Sequence, residues 1–143
     1  IVASTAARFG MGFIRMGLVP ELASTRWLAA RVGFGKASDL FLSGRLISAQ
    51  EAFDIGLADR LAEPDDLLED AVETAGSYAA NPDRQLRMTK QLLTDNIVET
   101  DLRSIQRAEQ QLLLECWTSP EHAEAVDAFL HKRQPVFRPE TAE

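Results

Sequence analysis

The chain has almost no cysteine: Cys116 is the only one in 143 residues. One thiol cannot close an internal disulfide, nor can it supply a cysteine cluster for zinc or an iron–sulfur centre. A reducing compartment, the cytoplasm, fits that usage. Long apolar runs are also missing, and none approaches the roughly 18–20 residues that would span a bilayer. The first residue is Ile1, with no charged stretch leading into an apolar run, so no signal peptide is read there. The start reads as cut from a longer chain. Positive charge is scarce: 22 acidic against 15 basic side chains give a formal charge of −7. That balance excludes a broad nucleic-acid surface, which needs clustered Lys and Arg to neutralise phosphates. A local basic pocket for one phosphorylated ligand is compatible with it.

Histidine is almost as rare. His122 and His131 stand near the C-terminus with no serine elbow or metal-ligand spacing beside them, and both read as structural. Gly10-Met11-Gly12 lacks the third glycine and the helix start of a dinucleotide fingerprint. No internal repeat and no low-complexity tract is present. What remains is a chain of ordinary globular composition, 45% apolar and 26% charged with six prolines, which argues against disorder.

The apolar pattern divides near Pro64. Before it, Phe9 to Ile14 suggest strand and loop, not a long helix. A helix is predicted over Ser24 to Val32, capped by Ser24 or Thr25 and broken by Gly33-Phe34-Gly35. A second should cover Lys36 to Leu42. Ser48 should cap a third over Ala49 to Ile55, stopped by Gly56, with Leu57 to Leu61 extended after it. Beyond Pro64 the periodicity is helical throughout. Leu67 to Tyr78 and Leu86 to Leu93 mark two helices, Thr100 or Asp101 caps a third through Cys116, and Ser119-Pro120-Glu121 opens the last. The tail after Pro135 should be loosely held. The first sixty or so residues hold too few strands to close a sheet and should need partners. Cys116, Trp27 and Trp117 read as packing residues, Asp39 as a surface or ion-pair residue, and Glu109, Glu115 and Glu121 as a solvated face.

One ordered set of short motifs is more specific. Ala7-Arg8-Phe9-Gly10, Gly17-Leu18-Val19-Pro20-Glu21, Val32-Gly33, Leu42-Ser43-Gly44-Arg45, Ile47-Ser48-Ala49-Gln50-Glu51-Ala52 and Gly56-Leu57 occur in that order. The ending Ala128-Phe129-Leu130-His131-Lys132-Arg133-Gln134-Pro135, with Phe137, completes it. The set resembles the second half of the enoyl-CoA hydratase/isomerase (crotonase) family over nearly the whole chain. The resemblance implies an α/β fold: residues 1–63 as the end of a spiral of ββα units, and 64–143 as a helical region used for trimer assembly. It also implies an acyl-CoA thioester as ligand, a homo-oligomer of three or six subunits, and no cofactor apart from the CoA carried by the substrate. Two backbone N–H groups hold the enolate-like oxygen in the family, and both lie upstream of the segment represented here, so this segment alone should be inactive.

By the same resemblance, one of the two hydratase glutamates is replaced by Phe13, and a phenyl ring cannot pass a proton. Glu21 matches the acidic position of double-bond isomerases, where one carboxylate moves a proton from C2 to C4. Partial burial beside Leu22, Leu18 and Phe13 would raise its pKa toward that task. Without the resemblance, Glu21 reads as a solvent-facing acid just before a helix start. Phe13 and Leu22 are the substrate-contacting residues implied beside it. Phe129 and Lys132, three apart and so expected on one helix face, match a pair that reaches a neighbouring subunit's CoA, ring to adenine and amine to phosphate. Hydration, carbon–carbon cleavage, decarboxylation and thioester hydrolysis stay open as reactions, as does a non-catalytic binding or assembly module.

Overall fold

Short apolar triplets make the strands: Val2–Ser4 (β1), Arg8–Gly10 (β2), Leu46–Ser48 (β3) and Arg60–Ala62 (β4). β1 and β4 pair in parallel with Ala3 opposite Leu61, and β2 and β3 pair antiparallel with Phe9 opposite Ile47. A two-stranded ribbon leaves unpaired backbone groups on its outer edges and is marginal in water by itself. Residues 1–137 are described by the computed structural model. Within them the strands form only these two pairs. β4 begins later than the predicted extended segment, because the N–H groups of Leu57 and Ala58 both turn back to the Ala52 carbonyl, at 2.8 and 3.0 Å.

Seven α-helices are present among the described residues: Ser24–Val32 (α1), Phe34–Ser43 (α2), Ala49–Asp54 (α3), Leu67–Ala79 (α4), Asp83–Asn96 (α5), Leu102–Trp117 (α6) and Pro120–Leu130 (α7). α2 starts earlier than its apolar pattern suggested. Gly33, at φ +82°, both ends α1 and opens α2, so one residue makes a corner that a side chain would strain. Ser48, Asp101 and Ser119 cap α3, α6 and α7 as expected, accepting from the N–H groups of Glu51, Arg103 and His122. α1 departs from expectation: Ala23 occupies its cap position and offers no side-chain bond. Between β2 and α1, Gly12–Met16 coils into a 3-10 helix where strand and loop were expected. Its turn is closed by Gly17 N–H on the Ile14 carbonyl and Leu18 N–H on the Phe13 carbonyl.

The chain forms two units, Ile1–Thr74 and the residues from Ala75 onward. That division falls inside α4, later than the change of pattern at position 64. In the first unit Ala3, Leu28, Ala37, Leu40, Ile47, Ala52 and Ala58 form a buried cluster, flanked by Phe9, Met11, Val32, Phe41 and Leu61. Four of the seven cluster members are alanines, and α3 approaches the strands closely. Gly44 fixes the 3-10 segment to this core. It sits at φ +59°, and a Cβ there would lie 3.0 Å from both Ile14 and Arg15 side-chain carbons. In the second unit only Ser119 and Ala128 are buried among the described residues. Its leucines largely face outward, as do Trp117 and, in the first unit, Trp27. Trp27 is 44% and Trp117 60% exposed, so each of these expected packing residues is covered only in part by the described residues. The prediction of a loose tail falls mostly on residues 138–143, outside the described residues.

Candidate functional site

Glu21 begins a tight turn. Its carbonyl accepts the Ser24 N–H at 3.0 Å, and the two residues between, Leu22 and Ala23, both adopt φ +55°. Positive φ at both central positions is a geometry usually supplied by glycine or asparagine. An L-residue held there costs about 1–2 kcal/mol. The Ser24 hydroxyl, proposed from sequence as a cap, is instead buried without a partner. Glu21 is exposed, and its carboxylate makes no hydrogen bond or ion pair with another described residue. The half-burial expected beside Phe13, Leu18 and Leu22 is thus corrected. Phe13 is half-buried, but Leu18 is exposed and Leu22 is 87% exposed, so this chain alone does not dry the carboxylate. The same exposure extends along the segment to Ile14, Met16 and Val19.

The backbone strain is open to a direct check. Leu22→Gly in the intact protein should relieve the left-handed cost, less the extra chain entropy of glycine, for a net gain of about 0.5–1 kcal/mol. Urea unfolding reads this as a higher midpoint at unchanged slope.

The third strained residue outside glycine lies near the other end of the chain. α7 stops at Leu130, and Lys132 follows it at φ +53°. Phe129 and Lys132 therefore do not share a helix face, as their spacing had suggested. They share a helix end. Lys132 N–H returns to the Phe129 carbonyl at 3.2 Å and Arg133 N–H to the Ala128 carbonyl at 3.0 Å, which is the paired closure of a Schellman motif with lysine where glycine is usual. Phe129 is 83% exposed, and the Lys132 side chain has no hydrogen bond or ion pair to another described residue.

Arg133 locks this ending. Its guanidinium forks onto both oxygens of Glu124, at 2.5 and 2.8 Å, and reaches Asp127 at 2.6 Å. Glu124 also accepts the Val136 N–H at 2.7 Å. These bonds hold the Glu124 carboxyl down to about 2, from an ordinary 4.5, with the Arg133 hydrogen bonds the larger cause. A depressed carboxyl stabilises the fold above its ordinary value and loses that contribution as pH falls through its folded one. The Val136 amide should therefore stay protected at pH 5 and lose protection on acidification toward pH 2, measured by hydrogen exchange or amide shifts.

Other candidates resolve as follows. Arg45 bridges Asp39 and Glu51, so Asp39 is an ion-pair residue as read from sequence. Glu115 pairs with Arg84. Glu121 is more than a solvated acid: its own backbone N–H, then Ser119 and Gln85, keep its pKa low. Cys116 is half-buried, its Sγ 3.8 Å from the Met88 sulfur. His131 hydrogen-bonds through Nδ1 to the Asp127 carbonyl, at 2.9 Å. An open groove of about 480 Å³ between α5 and α6, lined by Leu92, Leu93, Ile97 and Ile105, contains none of the proposed site residues. No group of three or more His, Cys, Asp or Glu among the described residues could hold a metal ion. No helix there is long and apolar enough to cross a membrane.

The profile of the enoyl-CoA hydratase/isomerase family matches residues 1–140. The chain belongs to that family. It is 30% identical over 133 residues to the short-chain-enoyl-CoA hydratase of Clostridium acetobutylicum, covering 93% of this chain and 51% of that protein. Against the crotonyl-CoA hydratase of Syntrophomonas wolfei the identity is 29% over 136 residues, 95% of this chain and 52% of the relative. The crystal structure of an enoyl-CoA hydratase from Bacillus anthracis superposes with a TM-score of 0.90 at 29% identity, over 97% of this chain and 54% of that one. The chain thus spans about half the length of these relatives, and its fold is a crotonase-type α/β fragment, mostly helical.

Within this crotonase-family fold, sequence reading missed the backbone. The non-glycine residues of positive φ among those described are Leu22, Ala23 and Lys132, each at or beside a position singled out by the family resemblance. Pro135 and the run of polar residues before it were the available signal that α7 ends before Lys132.

Proposed function

We propose that the intact protein is an enoyl-CoA double-bond isomerase in which Glu21 is the single acid and base. The carboxylate takes the C2 proton of a 3-enoyl-CoA as the C2–H bond breaks, and the electron pair passes into a dienolate on the thioester oxygen. Glu21 then returns the proton at C4, leaving the double bond between C2 and C3. The oxygen is held by two amide donors supplied outside this chain, aimed where charge develops. CoA arrives with the substrate, so no separate cofactor enters. Phe13 and Leu22 would line the acyl side, while Phe129 and Lys132 would meet the nucleotide end of the CoA bound to a neighbouring subunit.

One observation carries this reading. An acid whose carboxylate has no partner among the described residues sits on a strained turn, inside a segment whose Ile14, Met16, Leu18, Val19 and Leu22 are all exposed. Apolar surface of that extent marks a place that something else covers. Covering it would remove water from Glu21 and favour the neutral acid. Strain of this kind persists only where surrounding structure holds it, and it concentrates at functional sites. The outward leucines of α5 and α6 support assembly with further copies, three or a multiple of three, and the composition supports the cytoplasm as the compartment.

Hydration is the second reading, favoured by the names of the relatives and opposed by Phe13. Carbon–carbon cleavage and thioester hydrolysis have less to support them. A panel of 2-enoyl-, 3-enoyl- and dienoyl-CoA substrates separates them. The expected result is turnover of the 3-enoyl ester to the 2-enoyl ester without net water addition. Accumulation of 3-hydroxyacyl-CoA from the 2-enoyl ester at a comparable rate would replace isomerisation by hydration.

A further inference from the structure

We infer that Arg133 is a positioning residue: its clamp onto α7 presents Lys132 as a free cation to the phosphates of the ligand's nucleotide end. The inference rests on the reading above, that Phe129 and Lys132 meet that end of a CoA thioester, and it names the device that makes the contact possible.

Two features of this helix end work against an anion. The carbonyl end of α7 carries partial negative charge, and Glu124 and Asp127 stand on its last two turns. Left alone, these groups would repel a phosphate. Arg133 engages both oxygens of Glu124 and one of Asp127, a forked geometry that guanidinium supplies and ammonium cannot. His131 Nδ1 lies 3.1 Å from the Asp127 carboxylate. The carboxylates are thereby occupied by Arg133, and Lys132 is left without a carboxylate partner of its own among the described residues.

The clamp also sets the backbone. Lys132 stands at φ +53° where glycine would sit at no cost. Its place is enforced from the far side: Arg133 N–H on the carbonyl of buried Ala128, the guanidinium on Glu124 and Asp127, and Val136 N–H on Glu124. Residues 131–136 are folded back along α7 by these bonds. A chain end held only by its Schellman closure would relax a strained lysine into an ordinary conformation, and the ammonium would move with it.

The test compares two ligands on the intact protein by calorimetry: an acyl-CoA and the matching acyl-pantetheine, which lacks every phosphate and the adenine. The ratio of their dissociation constants reads the nucleotide contacts and is insensitive to a general loss of folded protein. Lys132→Gly, which suits the backbone and removes the ammonium, should reduce the preference for CoA by about tenfold or more, the scale of a charge-assisted hydrogen bond. Arg133→Gln, with Lys132 intact, should reduce it to a similar degree. If Lys132→Gly leaves the ratio unchanged, the nucleotide reading of Lys132 fails, and this inference with it. If Lys132→Gly lowers the ratio and Arg133→Gln does not, the reading stands and the positioning role is overturned. Should Arg133→Gln not fold, Arg133→Lys decides in the same way, because an ammonium keeps the charge and cannot form the fork onto both oxygens of Glu124.

Discussion

Glu21→Gln in the intact protein should slow isomerisation of a 3-enoyl-CoA by about 10²- to 10⁴-fold, the usual contribution of a positioned general base. That is about 3–5 kcal/mol of barrier. Affinity for a saturated acyl-CoA should change little, because glutamine keeps the shape and loses only the exchangeable proton. The expected loss is large because no second group stands by in the same segment. Between Met11 and Ser24 the other ionisable side chain is Arg15, and a guanidinium does not give up its proton near neutral pH. Phe13 has no proton to offer, and the Ser24 hydroxyl is buried. Single-turnover rates with C2-deuterated substrate, alongside calorimetry, would separate chemistry from binding. Turnover close to that of the unchanged protein would remove Glu21 from the reaction.

Ala23→Gly makes a useful companion to that variant. Ala23 shares the φ of +55° on the same turn and has no assigned substrate contact, and relieving its strain is expected to raise stability, so a loss of activity in Ala23→Gly cannot be charged to unfolding. If the strained turn aims the carboxylate, relaxing it lowers turnover while Glu21 remains chemically intact. The two variants together divide the identity of the acid from its placement.

Much of the fold could be read before any coordinates, and the reason is local. α1 runs from Ser24 to Val32 as its spacing implied, and Ser48, Asp101 and Ser119 cap helices because short oxygen-bearing side chains satisfy free N–H groups wherever a helix starts. What sequence could not carry was tertiary. Nothing in Leu22, Ala23 or Lys132 announces positive φ, since these residues avoid it unless neighbours impose it. The early start of α2 depended on one glycine serving two helices. The half-burial of Glu21 failed for another reason: apolar neighbours in sequence supply dryness only when something lies over them, and Leu18 and Leu22 lie open. The same lesson covers Trp27 and Trp117. Apolar periodicity tells which face seeks cover, and it is silent on what provides it. The order of the motifs, by contrast, placed Glu21, Phe129 and Lys132 in a family frame without any geometry at all.

The core beneath the site carries the other large effect. Ile47 is 1% exposed, together with Leu40 the most enclosed of the large side chains in the first unit, and it faces Phe9 across the β2–β3 pair. Ile47→Ala should cost about 2–5 kcal/mol, from lost burial plus the cavity left behind. That is a large part of the 5–15 kcal/mol typical of a whole domain. The consequence reaches the site through short covalent paths. β2 leads directly into the 3-10 segment at Gly12, and Gly44, two residues before β3, bears on Ile14 and Arg15. A cavity at Ile47 loosens both supports of the segment that ends in Glu21. Urea unfolding of the intact protein should show the midpoint falling at constant slope, with turnover failing at a lower temperature than before. Leu46 provides the contrast. It precedes Ile47 in the same strand, is 67% exposed in this chain, and lies over Gly10, where an added Cβ would come within 2.7 Å of its Cδ2. An uncovered leucine gives up within about 0.5 kcal/mol on truncation. A cost for Leu46→Ala well above that would mean that the intact protein covers this side of the strand.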